Sequence, residues 1–355
     1  MSDAVLVTGA CGLVGRATVK HLAGRGRRVV ATDLGTPANR KSAAALPSGV
    51  AVRWVDLTNP AQVAELLAAV QPAAVIHLAA IIPPMCYGQP VLARKVNVEA
   101  TSTLVKTVAE QQSRPRFVYA SSIAVYGPRN PHRISDVLRA DTPVNPYDLY
   151  GQHKLESEQI VQTSGLDWVV LRLGGVLSVE VRLDTDPDLI RFGAVLPSDG
   201  RLQTVDVRDV AHAFGVATTA EVVGRILLIG GDDSHRLIQS EVGASTAAAI
   251  GLVGALPRGR PGDPDNDEAW FATDWMDSTV AQAILGHQHH SWPQMLAETA
   301  ESVGWRRYPL RLIAPLAHEY LKRQSPYYRQ PGSYAHPWDA VRRRWGAPEA
   351  DRRIL

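Results

Sequence analysis

Tyr150 and Lys154 stand four residues apart in a stretch patterned as a helix, 150–164, so both side chains project from one face. A phenol is a poor base near neutrality, its ordinary pKa lying near 10. An ammonium alongside favours the phenolate, and Lys154 is expected to pull the Tyr150 pKa toward the working range. Such a tyrosine can give a proton to a carbonyl oxygen or take one from an alcohol. Ser122, just past an apolar run, offers a hydroxyl that can hydrogen-bond the same oxygen. Tyr147 competes for the role, but Gly151 and not a lysine lies four residues after it.

A second constellation opens the chain. Val5–Thr8 runs into Gly9-Ala10-Cys11-Gly12-Leu13-Val14-Gly15, a G-x-x-G-x-x-G spacing followed by a helical pattern. Glycines there let the backbone turn tightly and approach a pyrophosphate, and a helix N-terminus supplies free N–H groups and a positive dipole end. Gly9, Cys11, Gly12, Leu13, Val14 and Gly15 are therefore the expected cofactor contacts. The next strand ends in Asp33, at the place where a carboxylate typically holds the adenosine ribose hydroxyls, about 20 residues past the glycines. A carboxylate repels a 2′-phosphate, so Asp33 favours NAD over NADP, and the pair Arg27–Arg28 lies too far back to reverse that. Asp56 and Leu57 follow the third strand. They read equally as an adenine-edge contact and as the N-cap region of a helix beginning near Pro60.

These groups need a frame that brings residues 9, 33, 122 and 150 together. Val5–Thr8, Arg28–Thr32, Ala51–Val55, Ala74–Leu78, Arg116–Ala120 and Trp168–Leu173 read as buried strands, nearly unbroken in their apolar character. Helical patterns at Val14–Ala23, Pro60–Val70, Val91–Gln111 and Tyr150–Ser164 alternate with them. That alternation predicts an α/β fold with a doubly wound parallel sheet, the Rossmann arrangement, and a smaller C-terminal substrate lobe. The dinucleotide-binding unit is expected over 1–175, with 205–230 returning to it. The substrate lobe takes 176–204 and 231–304, and 305–355 forms a basic, aromatic extension without clear periodicity. Val179–Asp199 reads as a loop, as does 257–268.

Five motifs carry a resemblance: T-G-A-C-G-L-V-G (8–15), H-L-A-A (77–80), N-V-E-A-T (97–101), S-S-I-A-V-Y-G (121–127) and Y-G-Q-H-K (150–154). In order and spacing they resemble the extended short-chain dehydrogenase/reductases, the NAD-dependent epimerase/dehydratase group, over roughly 1–230. Leu171-Arg172-Leu173, Val205–Ala211 and Asp277–Gly286 fit more loosely. The resemblance implies that Lys154 also holds the nicotinamide ribose and that Leu78, Ala79 and Ala80 line the cofactor. It implies that Asn97 ties loops together nearby, although Glu99-Ala100 departs from the family's x-Gly. It selects Ser122 over Ser121, because the family's hydroxyl stands four residues before the tyrosine of V-Y-G, here Tyr126.

The departures narrow the reaction. Family dehydratases carry Asp-Glu after the catalytic hydroxyl, and Ile123-Ala124 cannot exchange protons. Nucleotide-sugar epimerases commonly carry Asn after the sixth strand, where Leu171–Leu177 has none. The loop Ile81-Ile82-Pro83-Pro84-Met85 is also apolar for a sugar pocket. The expectation is a dehydrogenase or reductase acting on a ketone, aldehyde or secondary alcohol of apolar character. A nucleotide-sugar epimerase is the alternative, and a non-catalytic NAD(P)-sensing protein the third reading.

The bulk properties set the remaining expectations. The net charge of +2 divides into +7 over 305–355 and −5 elsewhere, and the basic end reads as a solvated or self-packing extension, with no nucleic-acid partner. No apolar run approaches the roughly 20 residues that cross a bilayer, so no stable membrane insertion is expected. The chain goes directly into Ala4–Gly9 without an export signal, and Cys11 and Cys86 fit a reduced, cytoplasmic setting. His287, His289 and His290 crowd together without metal-ligand spacing, so no metal is expected. A small-molecule substrate is the expected partner. The resemblance implies a homodimer through Val91–Gln111 and Tyr150–Ser164.

Overall fold

The computed structural model describes residues 3–180 and 187–349. Its strands, in chain order, are β1 (Val5–Thr8), β2 (Val29–Asp33), β3 (Ala51–Trp54), β4 (Ala74–His77), β5 (Arg116–Ser122), β6 (Trp168–Leu173), β7 (Gly175–Leu177), β8 (Arg201–Asp206), β9 (Arg225–Ile229) and β10 (Arg236–Ile238). Seven of them form one parallel sheet in the order β3-β2-β1-β4-β5-β6-β9. Strand β1 shows why these runs are apolar throughout. Val5 and Val7 pack with Val19, Leu22 and Phe214 on one side, while Leu6 packs with Leu66, Leu67 and Leu104 on the other. A strand covered by helices on both faces has no solvent side to make polar.

The strand order reverses between β1 and β4, so the loops leaving their carboxyl ends diverge and open a crevice, the usual ligand position in such sheets. Beyond residue 175 the chain adds a small sheet, β10-β8-β7, with β10 antiparallel to β8. It then returns through the helix Val207–Ala217 to lay β9 against β6.

Three expectations change. The segment 179–199 contains a helix, Pro187–Gly193, and its residues 181–186 lie outside the described ones. The stretch 91–111 is no single helix: Pro90–Arg94 passes through a π turn, Lys95–Glu99, into Ala100–Ala109. The tail folds into the helices Arg307–Gln324 and Pro337–Arg344, its last six residues lying outside the description. Of the solvated and self-packing readings the packing one holds, because Tyr327, Trp338 and Val341 are buried in one cluster with Cys86, Tyr87 and Val195. Among the described residues no helix is long and apolar enough to cross a membrane.

Candidate active site

The glycine loop closes against the loop that follows β4. Gly9 has a φ of +64°, and a Cβ there would stand 2.7 Å from the Ala79 nitrogen. A Cβ on Gly15 would strike the Gly9 carbonyl and Ala10. Gly12 caps the helix Leu13–Gly24 without any side-chain hydrogen bond, which leaves first-turn N–H groups for an anionic ligand. Asp33, at the end of β2, holds the loop: its Oδ2 accepts from the Cys11 N–H at 2.9 Å. Its Oδ1 accepts from Leu34 N–H and Asn39 Nδ2 at 2.8 and 3.0 Å. Burial and the Asp33 charge push the Cys11 thiol up to about 11, so it is an inert part of the turn.

One buried histidine fixes the other wall. The Thr8 hydroxyl lies 2.7 Å from His77 Nδ1, and His77 Nε2 lies 2.9 Å from the Thr101 hydroxyl. Because Thr101 Oγ1 donates to the Asn97 carbonyl, it accepts from Nε2–H, and the Thr8 hydroxyl donates to Nδ1. Thr8 Oγ1 in turn accepts from the Leu78 and Ala79 N–H groups. Burial first, and Lys154 second, bring the His77 pKa down to about 3, so the ring stays neutral. The H-L-A-A pattern contained this residue, but nothing in its spacing marked it as an anchor.

Asn97 sits inside the π turn, buried, with its amide paired to both polar groups of Ile81: Oδ1 accepts from Ile81 N–H at 2.7 Å and Nδ2 donates to Ile81 O at 2.9 Å. Its own carbonyl accepts from the Ser157 hydroxyl at 2.8 Å, which links the β4 loop to the helix Leu149–Gln162. A π turn at such a junction lets one carbonyl serve partners outside its helix. Asp56 and Leu57 are more ordinary. Asp56 Oδ1 accepts from both donors of Thr58, and Leu57 packs in the core. The cap before Pro60 is Asn59, two residues later than the sequence placed the cap region.

Ser122 ends β5, and Tyr150 opens the helix Leu149–Gln162, capped by Asp148. The helix presses close to the strand end, since a Cβ on Gly151 would meet the Ala124 carbonyl. The Tyr150 phenol faces the Ser122 side chain, which favours the phenolate, and Lys154 Nζ lies 5.7 Å from the Tyr150 ring centroid. Ser121 points to the opposite face and donates to Glu158 Oε1 at 2.5 Å. The electrostatics differ from the sequence expectation. Lys154 Nζ donates to the Ala120 carbonyl at 2.7 Å, and burial brings its pKa down to about 8. Burial, with Cys86 and Asp148 nearby, drives the Tyr150 pKa above the ordinary phenol value, against a smaller opposing effect of Ser122. Desolvation sets the direction here, so at neutral pH Tyr150 holds its proton.

Below the site lies a pair that the sequence reading passed over. Arg172 donates through Nε and Nη2 to the two oxygens of Glu158, at 2.9 and 2.7 Å, and its Nη1 is 2.7 Å from the Tyr126 hydroxyl. Both charges are buried. The i, i+4 relation of Lys154 and Glu158 was there to be read.

Above the site lies an aromatic cluster. Tyr150, Tyr147, Ile81, Phe192, Phe271 and Trp345 all pack against one buried cluster that includes Tyr87 and Trp338. The rings of Trp338 and Phe271 stand 5.2 Å apart, and Tyr147 meets Trp338 at 5.1 Å, so Tyr147 is a packing residue. The tail is stitched on by backbone as well: Leu149 N–H donates to Pro348 O at 2.8 Å, and Asp148 bridges to Glu349. The three crowded histidines hold a turn. His287 Nε2 meets Gly230 O at 3.1 Å, and His290 Nδ1 meets Asp209 Oδ1 at 2.6 Å. Both His289 and His290 give their backbone N–H to Asp209 Oδ2.

Residues 5–230 match the model of the NAD dependent epimerase/dehydratase family, and the chain belongs to that family. It is 30% identical to the D-erythronate dehydrogenase of Cupriavidus necator over 184 residues, 48% of this chain and 54% of that one. It is 27% identical to the UDP-glucose 4-epimerase of Rhizobium leguminosarum bv. trifolii over 279 residues, 71% of this chain and 81% of that one. Methionine adenosyltransferase 2 subunit beta of Bos taurus is 31% identical over 193 residues, 54% and 52% of the two chains. The chain thus spans about half the length of the first and third of these relatives. Among solved structures, the UDP-glucose 4-epimerase of Thermus thermophilus in complex with NAD superposes with a TM-score of 0.69 at 23% identity, covering 84% of this chain and 98% of that one. That likeness is one of fold. The family's cofactor is NAD, and the glycine cradle, the uncapped helix end and Asp33 fit it.

Proposed function

We propose that the chain is an NAD-dependent dehydrogenase or reductase acting on a ketone, aldehyde or secondary alcohol of largely apolar character. The observation that carries this is the pairing of Tyr150 with Ser122 beneath an aromatic cluster. Nicotinamide supplies hydride transfer when bound. Gly9, Cys11, Gly12, Leu13, Val14 and Gly15 would hold the pyrophosphate and Asp33 the adenosine ribose. Leu78, Ala79 and Ala80 would line the crevice, positioned by His77 and Asn97. Asp56 and Leu57 remain candidates for the adenine edge.

In the reduction direction the substrate oxygen accepts hydrogen bonds from the Ser122 and Tyr150 hydroxyls, and the phenol gives up its proton as the alkoxide forms. The raised Tyr150 pKa keeps the phenol protonated at neutral pH, the form that a donor must have. Lys154, once it holds the nicotinamide ribose, stands beside the phenolate left behind and stabilises it. The roof of Phe192, Phe271 and Trp338 excludes water and favours an apolar substrate body.

The test is turnover of a panel of ketones and secondary alcohols with NAD(H) and NADP(H). Tyr150→Phe should lower turnover by at least ~100-fold while NAD binding is retained. An unchanged rate in that variant would remove Tyr150 from the chemistry. Absence of turnover in the wild type with NAD bound would favour the sensing role. A nucleotide-sugar epimerase is the second reading, favoured by the similarity spanning 71% of the chain. Near-stoichiometric NAD released on denaturation, with UDP-sugar epimerisation, would replace the first reading by that one. We also infer a homodimer through the outer faces of Pro90–Ala109 and Leu149–Gln162, where Val91 and Leu92 are exposed. Sedimentation at monomer mass in micromolar solution would sink it.

A further inference from the structure

The tail helix Arg307–Gln324 keeps its inner face on the protein: Ala314 is buried, and His318 Nδ1 lies 3.0 Å from the Gly254 carbonyl. Its outer face is apolar too. Trp305, just before the helix, then Tyr308, Leu312, Leu316 and Tyr320 follow at intervals of three or four, which places them in one stripe. Leu312 is 82% exposed, and Leu316 and Trp305 are each 73% exposed. Further exposed apolar side chains lie near the helix. Val253, exposed, sits in the turn whose Gly254 carbonyl meets His318. Gln324 accepts from Arg191, which brings up the helix Pro187–Gly193 with Leu189 and Ile190 exposed. A surface rarely leaves an apolar stripe of this length exposed without a use.

Charge decides what covers it. Residues 305–324 carry Arg306, Arg307, Arg311, Lys322 and Arg323 against Glu319, a net +4. Glu319 is engaged with Lys322 and Arg323, at 3.9 and 3.0 Å. Among the described residues, Arg306, Arg307 and Arg311 form no ion pair with a carboxylate. A second copy laid on this face would bring another +4 against it. A nucleic acid would take the arginines but offers nothing to Leu312 and Leu316. An anionic bilayer takes both: leucines at the acyl boundary, tryptophan and tyrosine at the headgroups, arginines on lipid phosphates. We propose that this helix docks the protein on the surface of an anionic membrane, lying in its plane. The helix does not cross it. The binding is independent of the reaction proposed above. It would set the bilayer beside the site, since the helix that exposes Leu189 and Ile190 also sends Phe192 into the aromatic cluster.

The test is co-sedimentation of the full chain with vesicles of phosphatidylcholine alone or of equimolar phosphatidylcholine and phosphatidylglycerol. The protein should sediment with the anionic vesicles and stay in solution with the neutral ones. Leu312→Asp with Leu316→Asp should abolish binding while thermal unfolding and NAD binding are unchanged, both positions being exposed. Arg306→Gln, Arg307→Gln and Arg311→Gln together should weaken it on the order of 100-fold, from about a tenfold loss or less for each charge near the surface. No sedimentation with anionic vesicles overturns the proposal, as does binding that survives the aspartate pair. A wild-type dimer that the aspartate pair splits would assign the stripe to a second copy instead. DNA binding that persists in the aspartate pair, with no vesicle binding in the wild type, would assign the arginines to nucleic acid.

Discussion

At the residue scale, Lys154 shows that a candidate catalytic group can be held at a cost to stability. Its pKa falls from 10.5 to about 8 because burial penalises the ammonium more than Glu158 favours it. The unfolded chain therefore binds more protons than the native one between those values. Lys154 thus lowers stability fully below pH 8, and the loss disappears as pH rises through about 10.5. Lys154→Met should stabilise the protein at pH 7 by about 3 kcal/mol, as the fall from 10.5 to about 8 implies, and should abolish turnover. Urea unfolding at pH 7 and above pH 10 measures this, and a gain that does not shrink at the higher pH would contradict it. The spacing of Tyr150 and Lys154 was legible in the sequence; the direction of their interaction was not. The i, i+4 rule sets two side chains on one face but says nothing of the Ala120 carbonyl that draws Lys154 away or of the packing that dries Tyr150.

At the element scale, β5, β6 and the helix Leu149–Gln162 are joined by Glu158 and Arg172. A buried pair of this kind adds little net stability, yet removal of one partner leaves an uncompensated charge. Arg172→Met should cost about 3–5 kcal/mol, and Glu158→Gln with Arg172→Met should recover much of it. Chemical unfolding of the single and double variants tests this. A double variant as unstable as the single would show that the pair does more than neutralise itself. The strands of the main sheet were readable to within about two residues at their ends because burial on both faces writes continuous Val, Ile and Leu into the chain. The tail helix was not. Leu312 and Leu316 lie on one face and Leu310 and Ala314 on the other, so no single apolar stripe stands out, and Pro309 and Pro315 fall inside it. The π turn left no periodic trace either, since it inserts one residue around Asn97 within a pattern that otherwise continues.

At the scale of the whole molecule, the tail turns a general fold into a particular site. Composition marked residues 305–355 as basic, and a basic end is usually solvated. What composition could not register is that Trp338 and Tyr327 bury their polar atoms against backbone carbonyls: Trp338 Nε1 donates to Trp270 O at 3.2 Å and the Tyr327 hydroxyl to Val195 O at 2.6 Å. The arginines nearby work on the rim, where Arg344 meets Asp188 at 2.9 Å. If the tail is a roof over Tyr150, its central ring should bear on substrate affinity more than on the proton step. Trp338→Leu keeps an apolar filling but removes the ring that stacks on Phe271 and Tyr147. With an apolar ketone it should raise KM about fivefold, an aromatic pairing being worth about 1 kcal/mol, while kcat holds within about twofold. Stability should fall at the same time, by less than the roughly 3–5 kcal/mol typical of a buried tryptophan cut to alanine. Steady-state kinetics beside thermal unfolding separates the two effects. A fall in kcat at unchanged KM would mean that Trp338 positions Tyr150 and that the substrate lies elsewhere. A loss of stability alone would make the tail a clamp on the fold, with the apolar reading of the substrate left to rest on Ile81 and Ile82.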